Sequence, residues 1–143
     1  MLPMKKIYLL FLIISTIFFS CTKKPDDKIV YADIPTELIG NWNWVYSGGG
    51  IANIVINPQT TGETRMIEFD RNNSYKEYAN GNLKSECNYH IEKSISIFSQ
   101  DSVLLIIKKL WPSRLYFEFK SSDTLITYED SFDGFEHEYI RIK

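Results

Sequence analysis

The sequence predicts an all-β protein: a small eight-stranded antiparallel up-and-down barrel with no C-terminal helix. Three observations carry this. From Gly40 onward the apolar residues recur with a period of two, not with the helical period of about 3.6. Short runs rich in Tyr, Phe, Ile, Val and Thr alternate with turn residues. The connections are short, so neighbouring strands pair antiparallel, and a meander of this size would leave two bare edges that closure removes.

The expected strands cover residues 40–47, 64–70, 74–80, 83–92, 102–109, 114–120, 124–129 and 135–142. The breaks between them carry turn chemistry: Arg71-Asn72-Asn73, Asn80-Gly81-Asn82, Trp111-Pro112-Ser113, Ser121-Ser122-Asp123 and Asp133-Gly134. Asn80-Gly81 between two strands is a strong hairpin signal. Pro112 has no N–H for a ladder and suits a turn.

Alternation assigns the inner face. In the first strand Trp42, Trp44 and Tyr46 share one side. Ile67 and Phe69 bring Arg65 with them in the second. Leu83, Cys87, Tyr89 and Ile91 face inward in the fourth, with His90 and Glu92 toward solvent. Leu115, Phe117 and Phe119 face inward in the sixth, and Phe135, His137, Tyr139 and Arg141 in the last. Gly40 allows the chain to turn across the barrel floor where a Cβ would be in the way, and Trp42 plugs that floor. Gly48, Gly49 and Gly50 then release the strand into a loop of about 14 residues, long enough to read as a lid. Ile51, Ile54 and Ile56 are its apolar candidates.

The chain divides into residues 1–20, 21–37 and 38–143. Lys5 and Lys6, the apolar run Ile7 to Phe19 and then Ser20-Cys21 have the layout of a secretory signal, and the run is too short to span a bilayer comfortably. Phe18-Phe19-Ser20-Cys21 resembles the bacterial lipobox, with Phe where an aliphatic residue is usual. The resemblance implies a lipid on Cys21; an ordinary secretory signal cleaved nearby is the other reading. Residues 21–37 read as a tether. Sixteen of them, Thr22 to Glu37, would span roughly 20–25 Å as a flexible coil. Asp26-Asp27 resembles a signal that sends some lipoproteins to the outer face of the outer membrane, a plain spacer being the equal alternative. The expected location is the cell envelope, as an outer-membrane lipoprotein of either leaflet.

Without residues 1–20, 14 basic and 18 acidic side chains remain, a net charge of −4. That argues against nucleic acid, which needs a basic face. Cys87 is then the one thiol besides Cys21, and an odd cysteine cannot close an internal disulfide. Expected partners are the membrane, through the N-terminal lipid, a small hydrophobic ligand and an envelope protein.

Gly40-x-Trp42 at the start of a first strand resembles the signature of the lipocalin and fatty-acid-binding superfamily. The passages "SGGG…NPQTTGETRMIEF", "YKEYANGNL" and "DGFEHEYIRIK" resemble those of small bacterial lipoproteins with a lipocalin-like domain. The resemblance covers roughly residues 36–143. It implies that Arg141 packs on Trp42, so Gly40, Trp42 and Arg141 form the barrel-floor signature. No T-D-Y motif is present.

Aromatic side chains crowd the proposed interior, so the expectation is a shallow pocket at one mouth and not a deep calyx. Candidate ligand-binding residues are Trp44, Tyr46, Arg65, Glu77, Tyr89, His137 and Tyr139. A few placed polar groups in such a mouth would anchor a carboxylate or hydroxyls. The alternative is structural: Arg65 pairs with Glu77, Arg141 serves the tryptophan and His137 bonds within the wall. No catalytic residue, metal site or cofactor is predicted. Glu136-His137-Glu138 alternates across a strand and cannot chelate together, and Cys87 sits among apolar neighbours where a thiol is unreactive. The tripeptides Asn72-Asn73-Ser74, Asp101-Ser102-Val103 and Asp123-Thr124-Leu125 match glycosylation patterns that arise easily by chance. The expected function is therefore non-catalytic: binding of a small hydrophobic or amphipathic ligand at one barrel mouth, or alternatively an interaction or accessory module with a filled barrel.

Overall fold

The computed structural model describes residues 29–109 and 113–143, and of Gln100 the backbone only. Residues 1–28, with the signal and Cys21, and the Trp111-Pro112 part of one predicted turn lie outside the described residues. The elements are β1 (Val30–Ala32), β2 (Gly40–Gly49), β3 (Ile54–Ile56), α1 (Pro58–Thr61), β4 (Arg65–Phe69), β5 (Ser74–Ala79), β6 (Asn82–Ser96), β7 (Ser99–Lys108), β8 (Arg114–Ser121), β9 (Thr124–Glu129) and β10 (Phe135–Arg141).

Eight of the strands form a closed antiparallel up-and-down barrel. β2, β4, β5, β6, β7, β8, β9 and β10 each pair with the next in sequence, and β10 returns to β2. All eight predicted strands are there. The Asn80-Gly81 hairpin has the geometry its sequence demands, with φ of 51° and 75° at the two residues. Asn80 also accepts the Thr64 N–H on its side chain at 2.9 Å, tying the hairpin to the start of β4.

Three features depart from the sequence reading. β1 lies within the expected tether, yet it pairs with β6 from Val30↔Lys93 to Ala32↔Ile91, and Ile34 packs on the core. The long loop after β2 is not free either. Ile54–Ile56 pairs with Ser47–Gly49, and Asn57 then caps a four-residue helix in a reciprocal capping box with Thr60. Finally, β7 and β8 pair only over Leu105–Ile107 and Arg114–Tyr116. Beyond that point an open apolar cleft of about 640 Å³ runs past Leu104, Phe117 and Phe119.

The core lies at the base of the barrel. Trp42 and Leu38 are fully buried, with Phe69, Tyr89, Ile91, Ile106 and Leu125 around them. The Trp42 indole donates to the Leu38 carbonyl at 3.0 Å, so its one polar atom is satisfied. Arg141 covers the ring from outside, its Cζ 4.0 Å from the ring centroid. Gly40 has a φ of 136°, and a Cβ there would stand 2.9 Å from Arg141 Nη1. The glycine therefore meets two demands, a left-handed backbone and the close passage of the guanidinium.

Candidate functional site

With the base filled, space remains at the other end. A cavity of about 470 Å³ opens there, with apolar walls from Ile67, Phe69 and Leu115 and polar groups from β2, β4, β5, β7, β9 and β10. Of the predicted ligand residues, Trp44, Arg65, Glu77, His137 and Tyr139 line it. Tyr46 and Tyr89 do not.

Tyr46 is displaced by a bulge. β10 pairs Tyr139 with Trp44 and Glu138 with Tyr46, so Val45 is an extra residue on β2. One extra residue inverts the pleat. Ser47 then points inward, fully buried, and Tyr46 lies outside, its hydroxyl crossing the space a Gly48 side chain would need. Tyr89 faces inward as expected but belongs to the base: it packs edge-on to Phe69 at 5.2 Å and donates to the Asp70 carbonyl. A second bulge, at Lys84, pairs Tyr78 with Leu83 and Glu77 with Ser85. Leu83 is consequently exposed, and Ser85 reaches Glu77.

The lid expectation is also corrected. Ile51 is 94% exposed and Ile54 half exposed, and neither covers the cavity. Ile56 packs on the core from β3. The cause is backbone pairing: β3 continues along β2 where β4 stops, which consumes the segment as a strand. Gly49 answers to the neighbour on the other side, β10. A Cβ on Gly49, where φ is 144°, would stand 2.5 Å from the Gly134 carbonyl oxygen.

Two polar groups organise the cavity. The first is a row along β2 and β10. Trp44 Nε1 donates to Ser47 Oγ at 2.7 Å, and Ser47 Oγ lies 2.6 Å from His137 Nδ1. Ser47 Oγ thus bridges the indole N–H and the imidazole Nδ1, its hydroxyl having one proton and two lone pairs to serve both. Nε2 faces Glu129 Oε1 at 3.6 Å, outside hydrogen-bonding reach. Burial lowers the His137 pKa. Glu129 pulls the other way, while the positive charges of Lys108 and Arg65 add to the depression. The ring is thus neutral near pH 7. Ser47, His137 and Glu129 have the residue types of a hydrolytic triad, but the serine is fully buried and its oxygen is held by the indole. The row fixes the Trp44 and His137 rings and turns the Nε2 edge toward the cavity.

The second group centres on Glu77. Its Oε1 accepts from Tyr75 at 2.5 Å and from Lys108 Nζ at 3.2 Å, and its Oε2 accepts from Ser85 at 3.0 Å. Burial works against its charge, but these hydrogen bonds and the Lys108 charge outweigh burial and hold the carboxyl below its usual range. Tyr75 and Tyr139 are pushed above the ordinary phenol value, first by burial. Arg65 does not pair with Glu77. It stacks on Trp44 at 4.6 Å and binds Glu63 through Nε and Nη2.

Lys108, Ser47 and Glu129 are site residues that sequence reasoning missed. Ser47 and Glu77's partner Ser85 were hidden by the bulges. Lys108 and Glu129 stand at the inward ends of strands whose alternation extends to them, a signal that was present. His90, by contrast, stays outside, beside Glu92 at 2.7 Å and under the Tyr31 ring. Among the described residues no group of three or more metal-ligating side chains comes together, and no helix is long and apolar enough to cross a membrane. No protein-family model, no curated protein and no solved structure matches this chain.

Proposed function

We propose that this protein is a bacterial envelope lipoprotein, held on the outer membrane by lipid on Cys21, whose lipocalin-like barrel binds a small hydrophobic or amphipathic molecule at its open mouth. One observation carries the reading: the base is closed by Trp42 and Arg141, while the opposite end keeps about 470 Å³ bounded by apolar walls and convergent polar groups. Ligand pockets start at about 300 Å³ and combine these two features. The same volume speaks against a barrel filled to its mouth, the basis of the accessory-module reading. The β7–β8 cleft is larger but open and almost wholly apolar, with little to orient a ligand. The role is non-catalytic, binding without turnover, since the buried Ser47 oxygen is not presented to a substrate.

Native mass spectrometry of the full chain purified from its host membrane tests both halves. An acylated N-terminal peptide beginning at Cys21 and a co-purifying small molecule are the expected results. A chain that carries neither overturns the proposal.

A further inference from the structure

We propose that the β7–β8 cleft docks an extended segment of another protein, which adds as a strand to the free edge of β8 with apolar residues facing the core and basic residues facing out. This site is separate from the mouth cavity and does not depend on it.

The first observation is a pair of open strand edges. The β7–β8 ladder stops at Leu105↔Tyr116, although β7 reaches back to Ser99 and β8 runs on to Ser121. The hydrogen bonds from the Lys109 N–H to Asn88 and from the Asp130 N–H to Arg114 fix which backbone groups point where. By that alternation the N–H and C=O groups of Phe117 and Phe119, and those of Leu104 opposite, face the cleft, and none has a ladder partner there among the described residues.

The second is the device that holds the edges apart. Beyond Leu105 the β6–β7 hairpin leaves the wall and lies on the outside of β8 and β9, where Phe98 packs on Tyr116 and Tyr128 at 6.3 and 5.3 Å. Asp130 clasps its tip. Its Oδ1 accepts from Ser96 Oγ at 2.8 Å and from the Ile97 N–H at 2.9 Å, and its Oδ2 binds Arg114 Nε at 3.2 Å. The Asp130 side chain is 5% exposed. Opening this clasp would leave a buried charge uncompensated, so the gap is built into the fold.

The third is the chemistry of the walls. Leu104, Phe117 and Phe119 line the cleft and belong to the core or pack on it. Such walls do not orient a small molecule, but free N–H and C=O groups recognise an extended backbone. Side chains of a strand added to β8 alternate between two faces. Those facing in meet Phe117 and Phe119. Those facing out lie beside Glu118 and, across the cleft on the outward parity of β7, Asp101, both exposed. Lys120, next on the β8 row, is drawn toward Glu138 at 3.9 Å. Lys93 lines the cleft from β6, the far side from β8. The outer lip beside the added strand is therefore acidic and favours basic residues.

Hydrogen exchange of the purified full chain, read residue by residue in NMR, tests the proposal. The probes are a short peptide of alternating lysine and valine, the same peptide N-methylated throughout, and one of alternating glutamate and valine. In the free chain the Phe117 and Phe119 amides should exchange about tenfold faster than those of Tyr116 and Glu118, which face β9. The lysine–valine peptide should slow them about tenfold, and the N-methylated peptide, of equal charge, should not. The glutamate–valine peptide should slow them less than about threefold, and in Asp101→Lys with Glu118→Lys the two charged peptides should exchange roles. Slow exchange at both amides in the free chain means that the gap is closed and overturns the site. Protection that rises with protein concentration without peptide assigns the edge to a second copy and overturns the partner. Equal protection by the two charged peptides overturns the acidic lip, and protection by the N-methylated one overturns strand addition. No protection by the lysine–valine peptide overturns the docking site.

Discussion

Arg141 lies over Trp42, 4.0 Å from Cζ to the ring centroid, and the same guanidinium ties three backbone carbonyls together: Ile39 at 2.9 Å, Ser122 at 3.2 Å and Glu37. The last strand is thereby fastened to the segment that enters the first, across the base of the barrel.

Arg141→Met keeps much of the contact area and removes the charge and the three hydrogen bonds. The expected loss is about 2–4 kcal/mol in urea unfolding. Trp42→Ala, which also leaves a cavity, should cost about 3–5 kcal/mol. A loss below about 0.5 kcal/mol for Arg141→Met would mean that the base is sealed by packing alone.

Ser47→Ala strands two buried groups at once, the Trp44 Nε1–H and His137 Nδ1. The expected destabilisation is about 1–3 kcal/mol, well above that of a solvent-facing serine. It should also release the Trp44 ring, read as a shift of its indole N–H resonance.

Stability should fall on acidification for two separable reasons. The folded-state pKa of His137 is below its ordinary value, so its contribution is complete above the unfolded pKa, near 6.5, and is lost as pH drops through the folded value. Glu77 is also lowered, and its contribution disappears as pH falls through and below the usual carboxylate range. In thermal melts from pH 8 to pH 3, His137→Phe should flatten the upper part of the profile and Glu77→Gln the lower part. A profile unchanged by either substitution contradicts the assignment.

Glycines at turns should differ by surroundings. Gly49→Ala meets both a φ of 144° and the Gly134 carbonyl, whereas Gly81→Ala meets a φ of 75° in open space. The second should cost about 1 kcal/mol, and the first distinctly more. Equal midpoints in urea would show that the β2–β10 crossing relaxes freely.

If the β3 segment is structural and not a lid, Ile51→Ser should leave stability within about 0.5 kcal/mol and leave co-purification of the small molecule unchanged, since Ile51 stands in water. Ile56→Ser, which removes a side chain packed on the core, should lower the melting temperature. Loss of the co-purifying molecule in Ile51→Ser, read by native mass spectrometry, would restore the lid.

The eight strands were legible because alternation and turn residues are local properties, written within five to ten residues of each other. The Asn57-Pro58 … Gly62 capping signals of α1 were equally local and were passed over within a long loop. Ion-pair partners were not legible. Arg65 and Glu77 share a face in adjacent strands, yet each has another partner, Glu63 beside it in sequence and Lys108 thirty-one residues on. Side-chain reach and backbone entry angle decide such choices, and neither is encoded in parity.

By itself, then, the sequence determined the all-β class and the order and antiparallel sense of the strands, because each follows from periodicity, chirality and turn geometry within a short stretch; the placing of Arg141 on Trp42 came from the resemblance and not from periodicity. Only the tertiary structure decided which side chains meet in the cavity. The extra residues at Val45 and Lys84 become visible only when a partner strand is laid alongside, and each shifts the pleat by one. That shift took Tyr46 out, brought Ser47 in and built the Trp44–Ser47–His137 row, because a strand's inward face is fixed by its pairing register and not by its own alternation.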